Sequence, residues 1–297
     1  MVSFIILNYN TGQLVMDCIQ SIRQYVKGCD YELIVVDNCS KKEEADFLQQ
    51  HLDDSVRLVT ARWNGGFGMG NMLGANAAKG DYLCFLNSDI VLIEDCVSPL
   101  VAYLEAHDDV ACITPQQLNK ERARIMSFFH PSGIRHELLG DGIMEKLCPA
   151  SFPDRRKQYD SPQAVFQING CFFLFPAEKF WAIGGFDPAV FLYTEEYDVG
   201  MRVKLHGWKC VYHPNYQFIH LGASSTKKMK GMTQRERYVS KLYTYRKYHG
   251  LLLSWIYQLC LLCQLLFKPG KWYILPAVMR GEAVSTSMRH HRYIKEI

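Results

Sequence analysis

The sequence predicts an α/β fold in which a mainly parallel sheet is flanked by helices and followed by a helical C-terminal tail. Through the first half, short and nearly unbroken apolar runs alternate with segments of helical periodicity. That is the pattern of strands buried on both faces and joined by crossover helices. The runs also end alike. Asn8, Asp37, Asn64 and Asp89 sit at or shortly beyond four successive strand ends, where ligands bind in open parallel sheets. From about Ser225 the composition turns basic and then apolar. The 297 residues therefore divide into a domain at 1–225 and a C-terminal region at 226–297.

Ser3 to Leu7 is the first strand, closed by Asn8-Tyr9-Asn10. Thr11 is a plausible N-cap for a helix carrying Leu14, Cys18, Ile19, Ile22 and Val26 at helical spacing. Tyr31 to Val36 is the second strand and ends at Asp37-Asn38; a charged helix spans Lys42 to Leu52. Val56 to Val59 is the third strand. The Gly-rich turn Asn64-Gly65-Gly66-Phe67-Gly68 then opens a helix that ends near Gly80. Asp81 to Leu86 is the fourth strand, stopping at Asn87-Ser88-Asp89; a helix from Glu94 to Ala106 and a strand from Val110 to Thr114 follow. Residues 115 to 164 mix Pro, Gly, His and charge with little periodicity, which predicts a long loop over the site. Order returns with strands at Ala164–Ile168 and Cys171–Phe175, helices at Ala177–Ile183 and Glu195–His206, and strands at Lys209–Tyr212 and Gln217–Ile219.

The tail carries eight Lys or Arg residues and one acid between Lys227 and Lys247, then the apolar run Leu251 to Phe267. That run falls short of the ~20 residues that span a bilayer. A basic stretch beside an apolar helix suits an anionic membrane surface, so peripheral membrane contact through 227–267 is expected; docking on protein is the competing reading. The net charge of +3 gives no reason to expect nucleic acid as a partner. Eleven cysteines are scattered, and the one CxxC spacing, Cys260 and Cys263, lies inside the apolar run without a second pair. They read as packed thiols in a reducing compartment. The chain opens directly into a strand, with no basic region ahead of an apolar one, so no secretory signal is expected.

Several side chains bear chemistry. Asp89, just past a buried strand, is placed to hold a hard divalent cation against a diphosphate, although a turn after a strand is often Asn-Ser-Asp in any case. Asp37 could accept from the N3–H of a pyrimidine, or serve as a turn residue. Glu195, Glu196 and Asp198 fall within four residues at the start of a helix. The helix dipole favours acids there, yet adjacent carboxylates also raise each other's pKa, which suits a general base. Glu195 and Glu196 point about 100° apart on a helix, so at most one faces a given substrate. Asp198 and Arg202, at i and i+4, form a surface pair. His220 ends a strand, as the other polar residues do, and with Asp89 could complete a metal site. Trp181, Phe186, Phe191, Tyr193 and Trp208 include possible sugar-stacking rings, though most such aromatics are core. Neither G-x-G-x-x-G after the first strand nor a P-loop is present, which argues against a nicotinamide dehydrogenase or P-loop kinase.

Taken in order, Val2-Ser3-Phe4-Ile5-Ile6-Leu7-Asn8-Tyr9-Asn10, Ile34-Val35-Val36-Asp37-Asn38, Asn64-Gly65-Gly66-Phe67-Gly68, Gly80-Asp81-Tyr82, Leu86-Asn87-Ser88-Asp89, Gly184-Gly185-Phe186-Asp187, Phe191-Leu192-Tyr193-Thr194-Glu195-Glu196 and His220 resemble the family-2 glycosyltransferases, particularly the rhamnosyltransferase-like branch. The resemblance covers residues 2 to 225. It implies a GT-A-type, Rossmann-like fold with a nucleotide-binding first half and an acceptor-binding second half. Asp37 then matches the acid that reads the pyrimidine, with Asn8, Asn10, Asn64 and Asn87 as further nucleotide-sugar contacts. Asp89 matches the last acid of the DxD metal motif, and His220 the histidine that joins the metal or diphosphate. Glu196 matches the catalytic base, with Glu195 the second choice. Two positions depart from the pattern: Asn87 replaces the first acid of DxD, and Glu196 stands where many relatives have Asp.

The expectation that follows is an inverting glycosyltransferase using Mg²⁺ or Mn²⁺. It would move a sugar, rhamnose favoured, from a dTDP- or UDP-sugar to a hydroxyl of a glycan or polyprenyl-linked acceptor in surface polysaccharide synthesis. It would work in the cytoplasm, peripheral at the inner face of the membrane, and could form a homo-oligomer. The alternatives are a UDP-hexose transferase of the same fold and a catalytically silent nucleotide- or glycan-binding protein. A nucleotidyltransferase is disfavoured, because Asn10-Thr11-Gly12-Gln13 is not a basic phosphate loop.

Overall fold

A computed structural model describes residues 1–222, 230–281 and 287–290. Four strands, β1 (Val2–Asn8), β2 (Tyr31–Asp37), β3 (Val56–Thr60) and β4 (Tyr82–Asn87), alternate with helices α1 (Gly12–Tyr25), α2 (Lys42–His51) and α3 (Gly66–Ala77). Successive side chains of a strand point to opposite faces, and both faces here are covered. Phe4, Ile6, Val35 and Leu86 pack with Val15, Ile19 and Ile22 of α1. Ile5, Ile34, Val36 and Phe85 pack with Ala75 of α3 and with Phe180 and Phe186. Burial on both sides is why these strands read as unbroken apolar runs.

The chain continues through β5 (Ile90–Leu92), α4 (Val97–Ala106), β6 (Val110–Leu118), β7 (Phe128–Phe129), α5 (Ile134–Leu139), α6 (Asp141–Leu147), β8 (Gln163–Val165), β9 (Gln167–Ile168) and β10 (Phe172–Pro176). Then come α7 (Ala177–Ala182), α8 (Glu195–Leu205), β11 (Lys209–His220), α9 (Lys230–Leu266) and α10 (Leu275–Met279). The described sheet has nine strands in the order β3-β2-β1-β4-β10-β6-β11-β5, with β8 paired to β11. The parallel pairs β1/β2, β2/β3, β1/β4 and β6/β11, with β10 antiparallel to both β4 and β6, set six strands running one way. The predicted mainly parallel sheet is therefore the one found. The chain steps outward from β1 to β3 and then returns to β4 on the other side, so the order reverses between β1 and β4. A crevice forms at such a point, beyond the carboxyl ends.

Several local expectations need correction. Thr11 stands at the N-cap of α1, but its hydroxyl makes no capping bond; it turns instead to Asn8 and Ser88. The helix predicted from Glu94 starts at Val97, because Asp95 accepts from the amides of Val97 and Ser98 and β5 precedes it. Residues 115–164 are no featureless loop: β6 runs on to Leu118, and β7, α5, α6 and the start of β8 follow. The two strands expected in 209–219 are one, β11, with a register shift between His213 and Gln217. The 225/226 boundary lies outside the described residues, as do Lys227 and Lys228. The helices after it pack back onto the domain: Ser240 Oγ donates to the Leu192 carbonyl at 2.9 Å, and Tyr197 Oη lies 2.8 Å from His249 Nε2.

Within α9, Gly250 at φ 74° breaks the helix into two. The segment Gly231–Leu266 is apolar and long enough to cross a membrane by length and composition alone, and 22% of its most apolar window is buried. After the break, Leu251 to Leu266 would extend only about 24 Å at 1.5 Å per residue, short of a ~30 Å hydrocarbon core. Tyr257, Leu261 and Leu265 face the protein, whereas Leu252, Trp255 and Leu259 face outward.

Candidate active site

The polar residues at the sheet's carboxyl edge form one connected network. At the end of β1, the Asn8 amide donates to Asp37 Oδ1 at 3.2 Å and to Ser40 Oγ at 3.0 Å. Its oxygen accepts from the Thr11 N–H and hydroxyl at 3.1 and 2.9 Å. Asn8 is fully buried and all four of its hydrogen-bonding places are filled. These bonds clamp the ends of β1 and β2 together. Asp37, 1% exposed, also accepts from the Ser40 N–H at 3.2 Å. Asn10 sits in the left-handed region at φ 57° and accepts from the Lys41 amide at 2.8 Å. A short Asn side chain tolerates that conformation.

Asn64 shapes the Gly-rich turn. Its oxygen accepts from Asn38 Nδ2 at 3.1 Å and from the Gly66 N–H at 2.9 Å. Gly66 has φ 80°, and a Cβ there would lie 2.0 Å from the Phe191 carbonyl oxygen. That close approach lets the Phe67 N–H donate to the Phe191 carbonyl at 2.9 Å. The turn after β3 is thereby tied to the segment that leads into α8.

The network continues from Thr11, whose hydroxyl lies 2.8 Å from Ser88 Oγ, to the neighbouring Asp89. Asn87 ends β4, and its N–H donates to the Cys171 carbonyl at 3.0 Å, which brings the start of β10 to the same edge. His220 ends β11, and its Nε2 lies 3.1 Å from Asp89 Oδ1. The two residues meet because β5 and β11 run antiparallel with His220 opposite Ile90. The other ring nitrogen, Nδ1, lies 2.6 Å from Gln117 Nε2 at the end of β6. Gln117 Oε1 accepts from Asn169 Nδ2 at 3.0 Å. The next residue, Gly170, donates its N–H to Glu196 Oε1 at 3.2 Å. Asp37, Asp89 and Glu196 therefore stand along one line of contacts at one edge of the sheet.

The two glutamates at the start of α8 differ. Glu195 is 5% exposed, and its Oε1 has no hydrogen-bond partner among the described residues. Burial first, and then the neighbouring Glu196 charge, push its carboxyl well above the usual range. Glu196 is partly exposed. Burial raises its pKa too, but its own backbone amide, the Gly170 N–H and the positive charge of Arg237 pull the other way. Arg237, on α9, stacks over the Tyr193 ring at 4.4 Å. Tyr193 and Thr194 both have positive φ, 69° and 67°, so the chain turns sharply just before Glu195. Asp198 and Arg202 do pair, but not on the surface as expected. Asp198 is 1% exposed and also takes Lys247 Nζ and Tyr248 Oη, each at 2.6 Å. Of the aromatics, Phe186 and Phe191 are buried, Trp181 is exposed, and Tyr193 and Trp208 are half-buried.

Asp89 and His220 offer one oxygen and one nitrogen, a donor set that suits Mn²⁺ or Mg²⁺ only if further oxygens complete the shell. Among the described residues no group of three or more His, Cys, Asp and Glu could hold a metal alone. The pair therefore fits a cation shared with a bound diphosphate, not a self-sufficient cage.

The family profile "Glycosyl transferase family 2" matches residues 3–183, more than half of the chain. An N-acetylglucosaminyl-diphospho-decaprenol L-rhamnosyltransferase of Mycobacterium tuberculosis is 36% identical over 99 residues, 32% of this chain and 32% of that one. Rhamnosyltransferase WbbL of Escherichia coli is 27% identical over 145 residues, covering 48% of this chain and 53% of its own length. The first curated relatives are matched over 42% and 36% of their lengths, so the chain spans less than half of each. Among solved structures, the mannosyltransferase PcManGT from Pyrobaculum calidifontis, in complex with GDP-Man and Mn²⁺, superposes with a TM-score of 0.57 at 13% identity. The match covers 94% of this chain and 73% of that one. The GT-A-type arrangement expected from the sequence is the fold of such neighbours.

Proposed function

We propose a reaction on the premise that this chain belongs to glycosyl transferase family 2: it transfers a sugar from a nucleoside-diphosphate donor to an acceptor hydroxyl, with inversion. The observation that carries the reading is the single network joining Asp37, Asp89 and Glu196 across three separate parts of the chain. In this reading Asp37, with Asn10 and Asn64 nearby, frames the base; Asn87, Asp89 and His220 face the diphosphate. A divalent cation held at Asp89, beside His220, would neutralise charge on the departing diphosphate. Rhamnose is the favoured sugar, because two of the matched relatives are rhamnosyltransferases by name.

Glu196 takes the proton from the acceptor hydroxyl. Its pKa lies above the ordinary carboxylate value, which makes it a better base, while Gly170 holds one oxygen in place and leaves the other for the acceptor. Glu195 is buried, its carboxyl pushed by that burial well above the usual range; it supports α8 and does not accept the proton. The deprotonated hydroxyl attacks the anomeric carbon opposite the diphosphate. Positioning and charge neutralisation carry most of the acceleration.

We further propose that the acceptor is presented at a membrane, where the protein docks from the cytoplasmic side through 227–267. The outward Leu252, Trp255 and Leu259 of α9 support this. They are joined by Leu138, Leu139, Ile143 and Leu147 of α5 and α6, also exposed. A Gln264 amide bond to the Glu137 carbonyl at 2.7 Å ties those helices to α9.

The direct test is thermal stability of the full chain with a panel of nucleotide sugars, with and without Mn²⁺. A donor at a hundred times its Kd adds about 2.7 kcal/mol, a rise of several degrees in Tm. One nucleotide sugar should stand out, more so with Mn²⁺. No response to any nucleoside diphosphate or its sugars would overturn the reading.

A further inference from the structure

The hydrogen bonds behind His220 fix which of its ring nitrogens carries the proton. The series starts from a group whose direction cannot change: the backbone N–H of Cys171 donates to Asn169 Oδ1 at 3.1 Å. The Asn169 side chain must therefore turn its NH₂ outward, and that NH₂ meets Gln117 at 3.0 Å. Only an oxygen of Gln117 can accept there. The Cys171 thiol, 3.6 Å from the same Gln117 Oε1, agrees with it. The Gln117 NH₂ is then left to face His220 Nδ1 at 2.6 Å. A nitrogen that accepts from an amide carries no proton, so the neutral ring bears its proton on Nε2, 3.1 Å from Asp89 Oδ1.

Gln117 and Asn169 have no other evident reason to be so arranged. Gln117 is 2% exposed near the end of a fully buried strand. A histidine that ligates a metal through Nε2 needs the opposite tautomer, with Nδ1–H given to an acceptor. We infer that Gln117, oriented by Asn169 and the Cys171 amide, is a positioning residue that holds His220 as the Nε2–H tautomer. In that form the ring donates a hydrogen bond to Asp89 and to diphosphate oxygens. A cation reaches Nε2 only by reversing both amides against the fixed Cys171 N–H. Asp89 is then the principal protein ligand. The inference rests on the proposed placing of the diphosphate beside Asp89 and His220, but its test needs neither donor nor turnover.

The experiment is ¹⁵N NMR of the full chain with ring-labelled histidine, metal-free, with His220 assigned by its loss in His220→Gln. The wild-type ring should show a protonated, pyrrole-type Nε2 and an unprotonated, pyridine-type Nδ1. Gln117→Glu offers Nδ1 an oxygen and, with Asp89 still facing Nε2, should protonate Nδ1 as well. Asn169→Asp does not touch the ring. Its second oxygen would draw the Gln117 NH₂ toward itself and turn the Gln117 oxygen to Nδ1, so Nδ1 should gain a proton there too. A wild-type ring protonated on Nδ1 overturns the inference, and so does an Nδ1 that stays unprotonated in either folded variant. If Gln117→Glu does not fold, Asn169→Asp alone decides. Failure here would leave the glycosyltransferase reading standing, since the donor screen tests that separately.

Discussion

Glu195 and Glu196 are neighbours of the same type, and the structure predicts opposite outcomes for the same isosteric change. In Glu196→Gln the amide oxygen can still accept the Gly170 N–H at 3.2 Å, so the geometry of α8 and the β9–β10 turn is kept. What disappears is the ability to take a proton. A positioned base contributes ~10²–10⁴-fold, which at 1.36 kcal/mol per decade corresponds to about 2.7–5.4 kcal/mol of transition-state stabilisation. Donor binding should be unchanged, because the loss falls on kcat. Glu195 cannot take over, since it is 5% exposed and points into the protein, with burial pushing its carboxyl well above the usual range. Glu195→Gln keeps the shape of this buried side chain, and should keep turnover within about threefold, below 1 kcal/mol. The assay is kcat and KM for sugar transfer, with donor Kd from calorimetry, for both variants. Near-normal kcat in Glu196→Gln, or a larger loss in Glu195→Gln than in Glu196→Gln, would refute the assignment.

Three further expectations follow from the same geometry. A Cβ at Gly170 would lie 2.6 Å from Glu196 Oε1, so Gly170→Ala should push the carboxylate aside and lower kcat on the order of 10²-fold, as an ångström of misplacement does, with donor Kd retained. Arg237 lowers the Glu196 pKa. The base works when deprotonated, so Arg237→Gln should move the acid limb of kcat/KM to higher pH and Arg237→Lys should move it less; a pH–rate profile decides. Replacing Leu252 and Trp255 with Ser should weaken co-sedimentation with anionic vesicles without lowering Tm, because both side chains face outward, and unchanged partitioning would count against membrane contact through this face.

The first half of the fold was legible because β1, β2 and β4 are buried on both faces, so their apolar runs are continuous and their polar ends stand out. The strand ends Asn8, Asp37 and Asp89 stand out in the sequence for that reason. The second half was not. β6 carries Gln116 and Gln117 where a buried strand should be apolar, and the expected loop began there. Those glutamines are buried because they have partners far along the chain: His220 is 103 residues from Gln117, and Asn169 is 52. A Gln or Asn has no motif; only the fold shows what it faces. The helices α5 and α6 escaped notice for another reason. Their apolar side chains are largely exposed, so no regular buried stripe marks them.

The C-terminal region also looks different from its composition. Read as sequence it is an appendage, basic and then apolar. In the structure it packs against α8 and the segment that leads into it. Asp198 is almost fully buried, and a buried carboxylate needs partners of opposite charge and hydrogen bonds. Arg202 is local, but Lys247 and Tyr248 come from α9. Lys247 also reaches Asp187 at 2.7 Å, in the turn that precedes the Phe191 contact with Gly66. Removing one partner of a buried ionic cluster costs ~3–5 kcal/mol, so cutting the chain before α9 would unsettle α8 and with it Glu196. The segment before Gly250 thus supplies the charges that hold the helix of the proposed base in place and the Arg237 that lowers the Glu196 pKa; the segment beyond Gly250 supplies the apolar face proposed for the membrane. A membrane-bound acceptor and the base that activates it would then be positioned by two consecutive segments of α9, and the membrane role has to be tested by point substitution rather than by truncation.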